Sequence, residues 1–289
     1  MLGTLIGRAP STPIADPYNL VPAYPKVTGG STNQTFPDWD NPNGKTPVDV
    51  STLVNPIVGV FYGQSLNTNC VSSTYTPTGG TAYEFSITNG GCYVAKDPLM
   101  GCTGYHPNLP SNPWPTGSWQ TRWPDKVRAR GITRPVIIVQ GGVGGSNARD
   151  WQSGGGNNAR FAVTKRRLDK AGLTASFIYW QQGESNTGDT QVAYATALSS
   201  IISGIRAQWS STPLLIAIST YINDATDANV AAAQAAAVDN PALIYAGANG
   251  DTLTWGGGYR QSDKTHWNAT GADAYAGLAD TALHNAGVY

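Results

Sequence analysis

The sequence contains few charged side chains and few residues that bind metals. Asp, Glu, Lys and Arg make up 12% of the 289 residues, about half of the usual share in globular domains. The 18 basic and 18 acidic residues cancel, so there is no basic excess with which to bind the phosphates of a nucleic acid. The chain has three histidines and no close pair of cysteines, so it shows no metal-ligand spacing.

Cysteines and long apolar runs are scarce too. No apolar run approaches the length of about 18 residues that spans a membrane. Cys92 and Cys102 flank a short loop and are predicted either to pair or, with Cys70, to be buried free thiols. The start, MLGTLIGRAP, lacks a basic region and a long enough apolar run for a signal peptide. We therefore expect an extracellular protein whose signal was removed, or export by another route, for example within a virion.

Proline separates the chain into two parts. Nine of the 19 prolines fall in residues 1–56, with no hydrophobic period between them. We interpret residues 1–54 as an extended arm that lies on the domain or attaches it to a neighbouring subunit or a larger assembly, and residues 55–289 as the domain. With little charge but 34 glycines, 9 tryptophans and 14 tyrosines, the surface is expected to be neutral and aromatic, which suits sugars.

After residue 54, short apolar runs alternate with helical patterns. Runs rich in Val, Ile and Tyr predict five strands buried on both faces; they lie at 56–63, 134–141, 175–181, 212–220 and 242–248. Helices are predicted around 198–209, at 227–239 and at 270–287. This alternation indicates an α/β fold with a parallel sheet covered by helices on both sides. The segment 64–133, rich in Gly and Pro, is predicted to be irregular.

Ligands of open parallel sheets bind at the carboxyl ends of the strands, and polar motifs follow the first two predicted strands. GQSLN places Ser65 after the first strand, either as an ordinary loop serine or as a nucleophile; it is not a G-x-S-x-G elbow, because Asn67 replaces the last glycine. GGVGGSNARDW, at 141–151, is either a loose turn or a loop whose N–H groups approach a substrate oxygen. It lacks the third glycine of a dinucleotide motif and the lysine of a phosphate-binding loop.

Two further motifs follow the third and fifth strands. WQQGESN contains Gln182, an amide that can donate to an oxyanion, and Glu184, which can hold that amide or a neighbouring loop. SDKTHWNATG contains Asp263 and His266, whose spacing lets the carboxylate reach the imidazole within one turn. Each motif alone also fits a polar strand end or a helix N-terminus.

Together these motifs resemble the four blocks of the SGNH (GDSL-type) hydrolases, in the branch of sialate O-acetylesterases and acetylxylan esterases. The resemblance runs from about residue 55 to 286 and leaves the arm outside it. The matching blocks are Gly63-Gln64-Ser65, Gly144-Gly145-Ser146 with Trp151, Trp180-Gln181-Gln182-Gly183-Glu184, and Asp263-Lys264-Thr265-His266. DPLMG, at 97–101, also resembles a stretch of this branch.

The resemblance implies a three-layer α/β/α sandwich around a five-stranded, flavodoxin-like parallel sheet. It implies a serine esterase in which Ser65 is the nucleophile, His266 the base and Asp263 the residue that orients it. The oxyanion hole would be formed by the N–H groups of Ser65 and Gly145, the latter preferred over Gly144, and by the amide of Gln182, where most of the superfamily has Asn. No cofactor and no metal are implied.

The expected substrate is an acetylated carbohydrate. Three tryptophans beside the blocks, Trp151, Trp180 and Trp267, are expected to leave room for a short acyl group and to offer flat faces to a sugar ring. Two alternatives stay open at this point: an idle carbohydrate-binding or adhesion module, and a lipase-like esterase of longer acyl chains. The complete Ser65, His266 and Asp263 set disfavours the first, and the absence of a long apolar lid disfavours the second.

Overall fold

The structure, a computed structural model, describes residues 42–102 and 116–289 in full and the backbone of two short strands at 27–29 and 34–36. Most of the predicted arm 1–54, and part of the segment 64–133, lie outside the described residues, so the division into arm and domain stays a prediction. Within the described residues, no helix combines the length and the apolar character needed to cross a membrane.

The described residues form ten strands and six helices. The strands are β1 (Val27–Gly29), β2 (Gln34–Phe36), β3 (Pro47–Val48), β4 (Ile57–Gly63), β5 (Ala82–Phe85), β6 (Cys92–Val94), β7 (Val136–Gln140), β8 (Phe177–Gln181), β9 (Leu214–Ile218) and β10 (Ile244–Asn249). The helices are α1 (Trp123–Ala129), α2 (Ala148–Trp151), α3 (Ala159–Lys170), α4 (Gln191–Gln208), α5 (Ala228–Ala236) and α6 (Ala269–Asn285).

The main sheet has eight strands in the order β10-β9-β8-β4-β7-β5-β6-β3. The six from β10 to β5 are parallel, and β6 and β3 are antiparallel to their neighbours. The five predicted strands lie side by side as β10, β9, β8, β4 and β7, which is the flavodoxin-like order. The expected fold class is thus confirmed.

The predicted strand number was wrong. Two of the three additional strands, β5 and β6, lie in the segment predicted to be irregular, and β3 lies within the predicted arm. Strands of two to four residues are too short to show a period of two in the sequence, and Gly-rich turns surround them. The end of the arm also contacts the sheet, because buried Lys45 forms an ion pair with buried Glu84 of β5.

Each central strand contributes to two cores, one on each face of the sheet. In β4 all seven residues are buried, and successive side chains alternate between the faces. Val58, Val60 and Tyr62 pack in the core under α3, α4 and α5. Ile57 and Phe61 pack in the core under α1 and α6. This alternation produces the three layers.

At the carboxyl end of β4 the backbone adopts a conformation in which a side chain would point into the neighbouring strand β8. Gly63 ends β4 with φ +148°, a conformation that is essentially restricted to glycine. A Cβ at this position would lie 1.7 Å from the carbonyl oxygen of Gln181 at the end of β8. The backbone of Gln64 then donates to the same carbonyl at 3.1 Å. The chain therefore leaves the sheet at Gly63 in a direction that only glycine permits.

We expect Gly63→Ala to destabilise the fold by several kcal/mol, because the methyl group must displace backbone of a central strand. Gly172→Ala is the matched control: Gly172 has φ +69°, and a Cβ there would meet nothing within 4 Å, so only the conformational cost of about 1–2 kcal/mol applies. Urea unfolding of both variants measures the difference. Equal losses of stability would contradict the steric explanation.

Candidate active site

The structure brings the serine, the histidine and the aspartate together at the carboxyl end of the sheet. Ser65 begins a 3₁₀ turn directly after β4. Asp263 and His266 lie in the turn before α6, which we call the Asp–His turn (residues 263–266). His266 Nε2 lies 2.9 Å from Ser65 Oγ, and His266 Nδ1 lies 2.7 Å from Asp263 Oδ2. A proton on Nδ1 would therefore leave Nε2 free to accept the serine proton.

Asp263 is held as a carboxylate. Partial burial favours its neutral form, but hydrogen bonds from the His266 ring and from the backbone N–H groups of Thr265 and His266 outweigh burial and lower its pKa to about 2. Both N–H groups donate to Oδ1 at 2.9 Å, which leaves Oδ2 for the ring. At neutral pH the site therefore presents an ionised, oriented carboxylate behind the imidazole.

Two of the predicted oxyanion donors have unoccupied backbone N–H groups. Within the part of the chain that the structure describes, the N–H groups of Ser65 and Gly145 donate to no other group. Gly145 is exposed in the turn after β7 with φ +69°, and no atom lies within 4 Å of where its Cβ would be. These groups are thus available to a ligand, and their role in an oxyanion hole stays a prediction.

The third predicted donor, Gln182, is already bonded within the protein. Its Nε2 lies 2.9 Å from Gln64 Oε1, 2.6 Å from Asn186 Oδ1 and 3.3 Å from the carbonyl of Ser146. An amide nitrogen has two hydrogens, so both are used by these acceptors. Gln182 would have to release one of these bonds before it could donate to a substrate.

Gln64 is a structural residue of the site that sequence reasoning missed. Its buried side-chain oxygen accepts from Gln182 Nε2 at 2.9 Å, from Ser185 N at 3.0 Å and from Gly183 N at 3.3 Å. It thus attaches the turn that contains Ser65 to the loop after β8. Gln64 is part of the Gly-Gln-Ser block, but the neighbouring residues in the sequence do not show which distant groups its amide hydrogen-bonds.

Arg260 is a second residue that sequence reasoning missed, and it holds the Asp–His turn by hydrogen bonds. Its buried guanidinium donates to the carbonyls of Leu253 at 2.6 Å, Gly250 at 2.7 Å and Thr265 at 2.7 Å. It lies 3.5 Å from the ring centroid of Trp267, a cation–π contact. Burial lowers its pKa to about 10, which leaves it charged at neutral pH. The arginine therefore connects the loop after β10 with the residue that precedes His266.

Glu184 is a buried carboxyl that does not contact the histidine. Ser219, at the end of β9, donates to its Oε1, while Oε2 is buried without a hydrogen-bond partner among the described residues. Burial raises its pKa from 4.5 to about 7, although the bond from Ser219 opposes this. The carboxyl therefore holds the loop after β8 to the end of β9, rather than orienting His266.

The prediction that three tryptophans beside the motifs offer their ring faces to a sugar was wrong. Trp151, Trp180 and Trp267 are all fully buried. Trp151 and Trp180 pack edge-to-face with ring centroids 5.4 Å apart, and Trp267 stacks on Tyr275 at 5.1 Å. Large apolar rings gain more from burial than from exposure, so these tryptophans pack beneath the loops and cannot contact a sugar.

All three cysteines are buried and none forms a disulfide, so the predicted pairing of Cys92 with Cys102 was wrong and the alternative of buried thiols is confirmed. Within the described residues, no group of three or more His, Cys, Asp or Glu side chains could hold a metal ion.

Glu184 predicts a pH-dependent stability. Between pH 4.5 and about 7 the folded protein keeps a proton on Glu184 that the unfolded chain has released, so the residue makes the free energy of unfolding fall as pH rises. We expect Glu184→Gln to gain stability relative to wild type by roughly 3 kcal/mol between about pH 4 and about pH 8. Urea unfolding at both pH values tests this. Taking the difference from wild type cancels other groups, and a pH-independent difference would contradict the assignment.

Known structures share the fold. A crystal structure of an Arabidopsis thaliana protein superimposes with a TM-score of 0.61 at 18% identity, covering 80% of this chain and 98% of that one. A carbohydrate acetylesterase from Xanthomonas citri gives a TM-score of 0.48 at 14% identity, covering 80% of this chain and 56% of that one. A family 3 carbohydrate esterase from Talaromyces cellulolyticus gives 0.48 at 10%, covering 79% and 97%. The first likeness shows the fold alone, and the other two are too weak to carry an argument.

No curated protein sequence matches the chain significantly. A family model does: residues 120–281, more than half of the chain, match the family described as "Carbohydrate esterase, sialic acid-specific acetylesterase". Asp263 and His266 lie within the matched range, and Ser65 lies before it. The chain therefore belongs to this family of carbohydrate esterases, hydrolases that act on esters.

Proposed function

We propose that the protein is a serine esterase that removes O-acetyl groups from carbohydrate, with Ser65, His266 and Asp263 as its catalytic triad. The observation that carries the proposal is the continuous contact from Ser65 Oγ to His266 Nε2, at 2.9 Å, and from His266 Nδ1 to the Asp263 carboxylate, at 2.7 Å. This order of nucleophile, base and ionised carboxylate is the arrangement that acyl transfer requires. A purely binding module would gain nothing from it.

The first half of the reaction forms an acyl-enzyme. Ser65 Oγ attacks the ester carbonyl carbon as His266 Nε2 accepts the serine proton, and Asp263 stabilises the resulting imidazolium. The negative charge passes to the carbonyl oxygen, which the N–H groups of Ser65 and Gly145 would hold. Gln182 would join them on exchanging a bond to Gln64 or Asn186. The tetrahedral intermediate then collapses, and the sugar oxygen leaves with the proton from His266.

The second half returns the enzyme to its starting state. A water molecule gives a proton to His266 Nε2 and attacks the acetyl carbon, and a second tetrahedral intermediate forms. Collapse returns the proton from His266 to Ser65 Oγ and releases acetic acid, which loses its proton to solvent and becomes acetate. Each oxyanion donor typically contributes about 3–4 kcal/mol to the stability of such an intermediate.

The choice of an acetyl group is supported by the packing around the nucleophile. Gln64, Leu66 and Asn67, which flank Ser65, are almost completely buried. The family description also names an acetylesterase. Dense packing on both sides of the serine favours a small acyl group over a long chain.

We expect an organophosphonate to label Ser65, and Ser65→Ala to lose ester hydrolysis by roughly 10³-fold or more while remaining folded. Peptide mapping of the labelled protein identifies the site. Ser262→Ala is the control, because Ser262 is an exposed serine beside Asp263 and should not change the rate. A label on any other serine would overturn the assignment of the nucleophile.

A series of p-nitrophenyl esters tests the acyl group. We expect kcat/KM to be highest for acetyl and to fall by about tenfold or more at butyryl, since two additional methylene groups must fit against buried side chains. Acetate release from acetylated polysaccharides then tests the carbohydrate. If octanoyl esters are hydrolysed as fast as acetyl esters, the lipase-like alternative replaces the deacetylase.

A further inference from the structure

One tryptophan near the Asp–His turn differs from all the others that the structure describes. Trp255 is 42% exposed, whereas the other six described tryptophans are at most 4% exposed. Exposing an indole forfeits the free energy that burial of its apolar surface would give. An exposed indole beside a site therefore calls for an explanation that a buried one does not.

Trp255 lies against the turn that carries the aspartate and the histidine. The ammonium of Lys264 is 4.4 Å from the ring centroid, and Lys264 directly follows Asp263. Only one residue separates Lys264 from His266, which places their Cα atoms within roughly 7–8 Å. His266 in turn lies 2.9 Å from Ser65 Oγ, so the indole is connected to the candidate triad through Lys264.

The backbone at Trp255 is held in place although its side chain is exposed. Its N–H donates to Tyr221 Oη at 2.9 Å. Tyr221 is itself buried and lies 4.5 Å from the guanidinium of Arg260. The backbone that carries the exposed indole is therefore held by buried side chains.

The loop that follows the indole has little side-chain bulk. Three glycines, Gly256, Gly257 and Gly258, follow Trp255. Among the described residues, a Cβ at Gly256 or Gly258 would meet nothing within 4 Å, and Gly258 has φ +80°. These two positions therefore leave room beside the loop.

The ammonium over the indole is paired with a carboxylate. Lys264 Nζ lies 3.7 Å from Asp224 Oδ2, and both side chains are about 40% exposed. The backbone N–H of Asp224 donates to the carbonyl of Lys264 at 3.2 Å, so the two turns are joined. Asp224 and Lys264 both have positive φ, +67° and +57°, a conformation that costs energy outside glycine and persists only where its surroundings impose it.

We propose that Trp255, with Lys264 over one face of its ring and Asp224 paired to Lys264, is a subsite that binds a sugar ring of the acetylated glycan. The opposite face of the indole would receive the C–H side of a pyranose, and the carboxylate and ammonium would accept and donate hydrogen bonds to its hydroxyls. The inference rests on the proposed function. It differs from the expectation for Trp151, Trp180 and Trp267, because it places the aromatic face in a loop outside the four blocks.

The test compares a substrate that has sugar rings with one that has none. Trp255→Ala is assayed on p-nitrophenyl acetate and on O-acetylated oligosaccharides of xylose, N-acetylglucosamine and sialic acid, each separately. We expect the ratio of kcat/KM for the best oligosaccharide to kcat/KM for p-nitrophenyl acetate to fall at least about tenfold, which corresponds to ~1.4 kcal/mol. The fall should lie in KM. Trp255→Phe, which keeps an aromatic face, should recover most of the ratio.

The controls distinguish a role of Trp255 in sugar binding from a role in holding the Asp–His turn. Leu278→Ala truncates another exposed apolar side chain, 37% exposed on α6. It should leave the ratio of the two kcat/KM values unchanged, and thermal melts verify that each variant is folded.

An unchanged ratio in Trp255→Ala overturns the subsite. An equal loss of kcat on both substrates also overturns it, because Trp255 would then only hold the Asp–His turn through Lys264. Wild type that hydrolyses p-nitrophenyl acetate but no oligosaccharide overturns the carbohydrate substrate, and wild type inactive on all esters overturns the proposed function.

Discussion

The contact between Gly63 and the carbonyl of Gln181 is the constraint on which the site depends. With the φ of +148° that Gly63 adopts, a Cβ would point into the neighbouring parallel strand and lie 1.7 Å from the carbonyl oxygen. The chain must turn sharply out of the sheet, and Ser65 follows after one residue. Because β4 is central, with β8 on one side and β7 on the other, the serine emerges where the loops of both neighbours begin.

Buried amides then hold those loops in place. Gln64 accepts three hydrogen bonds from residues 182–185, and Asn186 Oδ1 accepts from the backbone of Ala148 at 3.0 Å. Such networks are costly when incomplete and rigid when satisfied. Beneath the Asp–His turn, Arg260 provides the corresponding support with three charge-assisted bonds to carbonyls. Much of the polar sequence around the motifs is thus used to position the loops, and the groups left for a substrate are few.

The aromatic composition has a different meaning from the one that the sequence suggested. Except for Trp255, the described tryptophans are packed in the two cores. A sheet with helices on both faces has two interiors to fill, and large rings fill them efficiently. Composition gives the number of aromatic residues but not whether they are buried or exposed. It therefore predicted an aromatic surface, whereas the structure has an aromatic interior.

The sequence by itself determined the five strands β4, β7, β8, β9 and β10 and the helices α4, α5 and α6, because their apolar patterns are long enough to be recognised locally. It also determined which residue types follow the strands, so that Ser65, Asp263 and His266 could be grouped as a candidate triad. Only the tertiary structure decided that Ser65 and His266, 201 positions apart, are in contact. It alone decided that the amide of Gln182 is occupied, that Arg260 supports the Asp–His turn and that Trp255 is exposed. Hydrogen bonds and burial depend on groups distant in the chain, and no local pattern contains them.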